Sequence, residues 1–101
     1  VESLAIEGLK PLHFAAQHGH VALCELLVAY NASLAQQAPG EVTPLHLAAL
    51  HGHEAAAVAL ISRGANVTLQ DGDGNCPLRL ALMGGHARCL RSMLIAAVQG
   101  V

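Results

Sequence analysis

Histidine is the residue type with the most chemistry to offer in this chain of 101 residues, which contains seven. Four histidines form two His-Gly-His steps, at positions 18–20 and 51–53. Imidazole nitrogens bind zinc when several converge at about 2.0–2.1 Å from one ion. Equivalent atoms on packed helices lie about 8–10 Å apart and would not converge without distortion. We therefore predict no metal site, and only a weak pH dependence below about 6.5, where histidine becomes protonated.

The candidate nucleophiles are three cysteines, Cys24, Cys76 and Cys89. An odd number without regular spacing argues against a disulfide framework and for a reducing compartment. We expect Cys24 to be a small core residue and Cys89 to be partly exposed on the last helix, and neither lies in a catalytic motif. Segment 71–74, Asp-Gly-Asp-Gly, carries acids where a phosphate would sit and lacks the later ligands of a calcium loop. The chain is predicted to be no enzyme and to need no cofactor.

Composition narrows the class of partner. Hydrophobic residues make up 53% of the chain but aromatic residues only 2%, so the apolar content is mostly alanine and leucine. This suits closely packed thin helices better than a β-core. A net charge of −2 supplies no basic field for nucleic acid or for an anionic membrane. No apolar run reaches the roughly 18 residues of a membrane span. We expect an intracellular protein, cytoplasmic or nuclear, with no membrane insertion and no small-molecule substrate.

The elements that carry these residues recur with one period. The stretch Thr43–Ala49, TPLHLAA, returns 33 residues earlier as PLHFAA and 33 residues later as PLRLAL. Self-similarity at a fixed period is the sequence signature of a repeat protein. Each copy predicts a short helix that begins at proline, a glycine stop and a second helix. The predicted helices span 11–18, 21–30, 44–51, 54–62, 77–84 and 87–97.

In motif and period the chain resembles the ankyrin-repeat family. The resemblance implies an all-α solenoid in one domain, with three 33-residue repeats (about 5–37, 38–70 and 71–101). Each repeat is a helix-turn-helix plus a hairpin loop, called a finger here, with little true strand. In the family a threonine caps the first helix and bonds the motif histidine, and Thr43 and His46 match. Lys10 and Cys76 replace the threonine and Arg79 the last histidine, so the central repeat should be the most regular.

Apolar stripes are predicted on the second helices. That of the first repeat comprises Leu23, Leu26, Leu27 and Tyr30, and that of the last repeat comprises Leu90, Met93, Leu94, Ile95 and Val98. True end repeats are usually repolarised. We therefore expect the chain to be a piece of a longer protein, with more repeats, a capping helix or another domain after residue 101. The alternative is that Arg88 and Arg91 suffice as a cap.

By resemblance, the function is binding of another protein through the finger tips and the exposed side of each first helix. The predicted protein-binding residues are Ile6, Glu7, Leu9, Gln17, His18, Pro39, Val42, Leu50, His51, Asp73, Asn75 and Met83. An apolar stripe would run through Leu9, Val42, Leu50 and Met83, and such exposed stripes mark interfaces. Alternatively, Leu50 and Met83 are buried between repeats. The alternative function is a structural spacer whose repeats pack against flanking repeats or a catalytic domain.

Overall fold

The computed structural model describes residues 11–30 and 40–99. Its helices are α1 (Pro11–Gln17), α2 (Val21–Ala29), α3 (Pro44–Leu50), α4 (Glu54–Ser62), α5 (Pro77–Met83) and α6 (Ala87–Gln99). Every predicted helix is present, and only α6 extends more than one residue beyond its predicted end. The fold is all-α, as predicted.

Two rows of helices form the molecule. The first helices of the repeats, α1, α3 and α5, pack in one row, and the second helices, α2, α4 and α6, pack in the other. Within each repeat the two helices also pack together, so in the part of the chain that the structure describes the main helix contacts lie within a repeat or between neighbouring repeats. The longest helix, α6, has 13 residues, and no helix in the described parts of the chain is long and apolar enough to cross a membrane.

Small side chains let the two rows approach closely. The alanines of the first helices are completely buried, namely Ala15, Ala16, Ala48, Ala49 and Ala81. Larger buried residues, such as Leu12, Leu45 and Leu60, fill the space between the rows. The composition, rich in alanine and poor in aromatics, is therefore explained by thin helices stacked in register.

The prediction of a partly exposed Cys89 is wrong, because only 2% of this residue is accessible. The same position is Ala56 in α4, which is also buried, and Leu23 in α2, which is exposed. Burial at this position therefore comes from the preceding repeat, which α2 lacks among the described residues. As predicted, Cys24 is buried in the core.

The apolar stripe of α2 is largely exposed rather than packed inward. Leu23, Leu26 and Tyr30 are all exposed, and Cys24 is the buried residue of this helix. In α4 the positions of Leu23 and Leu26 are occupied by alanines, and both are buried. The stripe thus points toward the side on which a preceding repeat would pack.

A capping box starts the central repeat. The Thr43 hydroxyl accepts a hydrogen bond from the His46 backbone N–H, and the His46 ring accepts one from the Thr43 backbone N–H. Cys76 begins α5 with nearly the same backbone conformation, φ −89° and ψ 164° against −95° and 167° for Thr43. Its side chain makes no capping bond, so α5 begins with an uncapped first turn.

We expect Cys76→Thr to raise the free energy of unfolding by about 1 kcal/mol, because the new hydroxyl can accept from the free Arg79 N–H. For a domain of this size that gain raises the melting temperature by about 4–8 °C. Thermal unfolding followed by circular dichroism measures it. Cys76→Ala, which lacks the acceptor, should show no gain, and an unchanged melting temperature in Cys76→Thr would contradict the capping argument.

Candidate protein-binding surface

Two buried histidines reach forward to the next repeat. The Nε2 of His13 donates to the Val42 carbonyl at 2.8 Å, and the Nε2 of His46 donates to the Asn75 carbonyl at 3.0 Å. Since a carbonyl only accepts, the proton of the His46 ring lies on Nε2. Its Nδ1 then accepts from the Thr43 hydroxyl at 2.7 Å. The predicted threonine–histidine bond that ties one repeat to its neighbour is therefore present.

Two further histidines reach backward. The Nε2 of His53 donates to the Gln17 carbonyl at 2.8 Å, and that of His86 donates to the Leu50 carbonyl at 3.0 Å. Sequence reasoning gave both residues no role beyond the loop that starts the second helix. The signal that could have revealed the role is the recurrence of Gly-His after each first helix.

Glycine makes room for these backward rings. A Cβ on Gly19 would lie 2.7 Å from the Nδ1 of His53, and a Cβ on Gly52 would lie 2.6 Å from the Nδ1 of His86. Both glycines have φ +71°, a left-handed conformation that ends the first helix. The glycine of each His-Gly-His step therefore serves both the turn and the junction between repeats.

The four carbonyls that accept these histidine bonds belong to predicted binding residues, namely Gln17, Val42, Leu50 and Asn75. At each junction the forward bond fixes the loop before the first helix of the later repeat. The backward bond fixes the end of the first helix of the earlier repeat. Fixed backbone at a binding surface lowers the conformational entropy lost on association.

The side chains of Leu50 and Met83 are exposed, with 44% and 63% of their surface accessible. They are therefore not buried between repeats. His18, His51 and Asp73 are exposed as well, whereas Gln17, Val42 and Asn75 are half-buried. Four predicted residues lie outside the described part of the chain: Ile6, Glu7, Leu9 and Pro39.

The finger loops contact one another. The Gly72 N–H donates to the Gly40 carbonyl at 2.6 Å. Within the second finger the Asp71 carboxylate accepts from the N–H groups of Asp73 and Asn75, each at 2.9 Å. In residues 40–43 and 70–76 the only residue in a β-bridge is Val42, so these parts of the fingers hold little strand.

Two histidines lie close together in the turn of each of the first two repeats. The ring centroids of His18 and His20 are 5.9 Å apart, and those of His51 and His53 are 6.1 Å apart. Partial burial lowers the pKa of His51 below 6.5, and the neighbouring His53, His18 and His86 lower it further when charged. In the described residues no group of histidine, cysteine or acidic side chains is arranged to hold a metal ion.

Acid is expected to weaken the fold slightly through His51. Because its pKa is lower in the folded chain, the unfolded chain binds the proton more readily. The stability from the neutral ring is fully present above pH 6.5 and is lost as the pH falls through the lowered pKa. The urea midpoint should therefore be lower at pH 5.5 than at pH 7.5. His51→Gln should narrow that difference, and an identical difference in this variant would contradict the assignment.

The buried cysteines are poorly placed for nucleophilic chemistry. Burial raises the pKa of the Cys24 and Cys89 thiols, and the nearby carboxylates of Glu25 and Glu54 add to the effect. The thiolate is the reactive form, so both groups stay protonated at neutral pH. All three cysteines are free.

Stacked helix pairs joined by histidines at a fixed period define a helical repeat protein. The model of a family described as ankyrin repeats (3 copies) matches residues 1–71, and the chain belongs to the ankyrin-repeat family. Ankyrin repeats are in general protein-interaction modules, and their fold is typically non-catalytic. No curated relative matches the chain.

A solved structure shows the same architecture. The crystal structure of the human ASB11 ankyrin repeat domain is 34% identical to this chain, with a TM-score of 0.80. The alignment covers 86% of this chain and 39% of that one. This chain thus spans about two fifths of the length of that domain.

Proposed function

We propose that this chain is a protein-interaction module that binds its partner along the exposed side of α1, α3 and α5 and at the fingers before α3 and α5. The carrying observation is the exposed pair Leu50 and Met83, which occupy the same position in successive repeats. The helices that carry them, α3 and α5, each follow a loop whose backbone carbonyl accepts a histidine bond. Apolar side chains held outward on a rigid support are typical of binding surfaces, and methionine adapts to irregular partners.

The spacing of the repeats restricts the partner. Neighbouring first helices lie about 8–10 Å apart, so apolar side chains on the partner should be separated by a similar distance. Two turns of an α-helix advance about 10 Å, and three residues of an extended strand also advance about 10 Å. An amphipathic helix with apolar residues seven apart would therefore match, whereas side chains three apart on an extended strand point to opposite faces and would not.

The remaining features agree with a non-enzymatic binding module in one domain, with repeats at about 5–37, 38–70 and 71–101. Free cysteines support an intracellular location in the cytoplasm or nucleus. A spacer role is the second candidate, because the last repeat leaves Leu82 and Leu94 exposed. The two roles are compatible, since one array can bind a partner with its first helices and flanking units with its ends.

Charge on the exposed stripe is expected to weaken partner binding strongly. The double variant Leu50→Glu/Met83→Glu should capture its partner from a cytosolic extract at least tenfold less well than the wild type, since carboxylates cannot enter an apolar contact. The captured protein is identified by mass spectrometry, and its affinity is then measured with purified components by titration calorimetry.

The matched control is Leu26→Glu/Val98→Glu, which adds the same charge at exposed apolar positions on α2 and α6. It should bind as the wild type does, and circular dichroism should show that both double variants are folded. Equal binding by the stripe variant and the wild type would move the site away from the first helices.

A further inference from the structure

We propose that a groove between α2 and α4 binds a segment of another protein that combines apolar and basic side chains. This outer groove has a volume of about 460 Å³ and is lined by Val21 and Glu25 of α2 and by one face of α4. The described lining residues all belong to second helices, so the groove opens on the side away from α1, α3 and α5. It is therefore distinct from the exposed stripe of Leu50 and Met83.

The outer groove lies between two described repeats and not at an end of the array. Val21 stands where α4 has Glu54, and the Glu54 carboxylate accepts a hydrogen bond from the Ser92 hydroxyl of the following repeat. This position therefore faces the following repeat. A further repeat before α1 would pack on the other side of α2, which carries the exposed Leu23 and Leu26. Stacking of additional repeats would thus leave the outer groove open.

Small side chains on α4 make the room for this groove. Ala55, Ala59 and Ser62 line it. One repeat later α6 carries larger side chains at the same three positions, namely Arg88, Ser92 and Ile95. The hydrogen bond between Ser92 and Glu54 also crosses that later junction, whereas alanine at position 59 and valine at position 21 leave no such pair between α2 and α4.

The floor of the outer groove is apolar and its charge is negative. Val21 and Val58 are half-buried and pack against the core. The side chains of Glu25 and Glu54 line the same groove, and no basic residue is among its described lining. The exposed Glu25 carboxylate has no hydrogen bond or ion pair among the described residues. The groove thus offers an apolar surface beside an unpaired negative charge.

An arginine or lysine beside an apolar residue has the chemistry that complements this groove. The stem of such a side chain packs on apolar surface while its head stays near water, and the head donates charge-assisted hydrogen bonds to carboxylates. In α6 the chain itself carries Arg88 and Arg91 at the positions of Ala55 and Val58. The outer groove lacks both cations, so a basic partner segment would supply the missing charge.

The shape of the groove favours a protein segment as its occupant. The groove is open along its outer side, whereas sites for small molecules bury most of their ligand. A short segment that is held by the rest of its own protein can bind in an open groove, because only a few of its side chains need to enter. The occupant is therefore a basic and apolar stretch of a partner protein.

Ala55→Arg tests the outer groove, because it places there the residue that α6 carries at the same position. A phage library of random peptides is first depleted on the immobilised variant and then selected on the wild type. The enriched peptides should combine arginine or lysine with neighbouring apolar residues. In fluorescence polarisation they should bind Ala55→Arg at least tenfold more weakly than the wild type. Their affinity for the wild type should fall as the salt concentration rises, since salt screens exposed charges.

The matched control is Ala22→Arg, which adds the same side chain at the same position of α2, where it is exposed and outside the groove. It should bind the peptides as the wild type does. Glu25→Gln, which removes the unpaired charge, should weaken binding about threefold. If circular dichroism shows that Ala55→Arg is unfolded, Glu25→Lys takes its place.

The stripe variant Leu50→Glu/Met83→Glu should bind these peptides as the wild type does, so failure of the partner-binding proposal and failure of this one are distinguishable. A selection that enriches no peptide, or enriches peptides without basic residues, would overturn the outer-groove proposal. Equal binding by the wild type and the groove variants would overturn it as well.

Discussion

Gly52→Ala is expected to lower the free energy of unfolding by about 2–3 kcal/mol. A Cβ at this position would lie 2.6 Å from the Nδ1 and 2.8 Å from the Cγ of His86. The ring must therefore move, and its 3.0 Å bond to the Leu50 carbonyl is lost, which costs about 0.5–1.5 kcal/mol. The left-handed backbone at φ +71° adds about 1–2 kcal/mol for any residue with a side chain.

The chain also provides a control that separates these two contributions. Gly85 has φ +75° and open space around a built Cβ, so Gly85→Ala should cost only the backbone penalty. In urea unfolding, the free energy of unfolding of Gly52→Ala should be about 1 kcal/mol lower than that of Gly85→Ala, which is the contribution of the lost histidine bond. Adding His86→Ala to Gly52→Ala should cause little further loss, because the bond is already broken. Equal losses in the two glycine variants would contradict a role for the ring contact.

His46→Ala is expected to lower the free energy of unfolding by about 3–4 kcal/mol. The ring is completely buried, and its removal leaves a cavity. It also removes the ring donor of the Asn75 carbonyl at 3.0 Å and the ring acceptor of the Thr43 backbone N–H at 3.1 Å, and each buried polar group without a partner costs about 1–3 kcal/mol. The Thr43 hydroxyl loses its bond to the ring but still accepts from the backbone N–H of residue 46. Since small domains have only about 5–15 kcal/mol of stability, the melting temperature should fall by more than 10 °C.

Arg79→Ala is the matched control, since Arg79 stands at the same motif position in the last repeat and is exposed. Its effect on the urea midpoint should correspond to less than about 0.5 kcal/mol. Thr43→Val should cost about 1–2 kcal/mol by removing the cap. In the double variant with His46→Ala the losses should sum to less than the two single losses, and strict additivity would show that the threonine–histidine pair does not act as a unit.

The helices and the threonine–histidine cap of the central repeat could be predicted because their signals are local. Proline marks the start of each first helix, and threonine and histidine three residues apart specify the cap. The backward bonds of His53 and His86 could not be read from residue types in this way. Their acceptors are backbone carbonyls 36 residues away, and a carbonyl has no signature in the sequence. Likewise Glu41 adopts a left-handed conformation with φ +62°. The sequence signal for it is Gly74, which occupies the same position one period later.

Burial was predicted less well than helix position, again for a physical reason. Helical periodicity identifies an apolar stripe but presupposes that the stripe faces a core. In this fold a second helix is covered from two sides by neighbouring repeats, so Leu23 is exposed whereas Cys89, at the same position, is buried. The exposure of Leu50 and Met83 likewise depends on the neighbouring repeats.

The paired histidine bonds have a consequence for how such a chain can change its length. At each junction one bond spans 29 residues forward and the other spans 36 residues backward. Both spans survive when a whole period of 33 residues is inserted or deleted between equivalent positions, because every donor then meets an equivalent acceptor. An insertion of any other length inside a repeat separates the histidine donors from their carbonyl acceptors, and Gly52 from the His86 ring. The junction chemistry therefore makes the whole repeat the natural unit of duplication and loss.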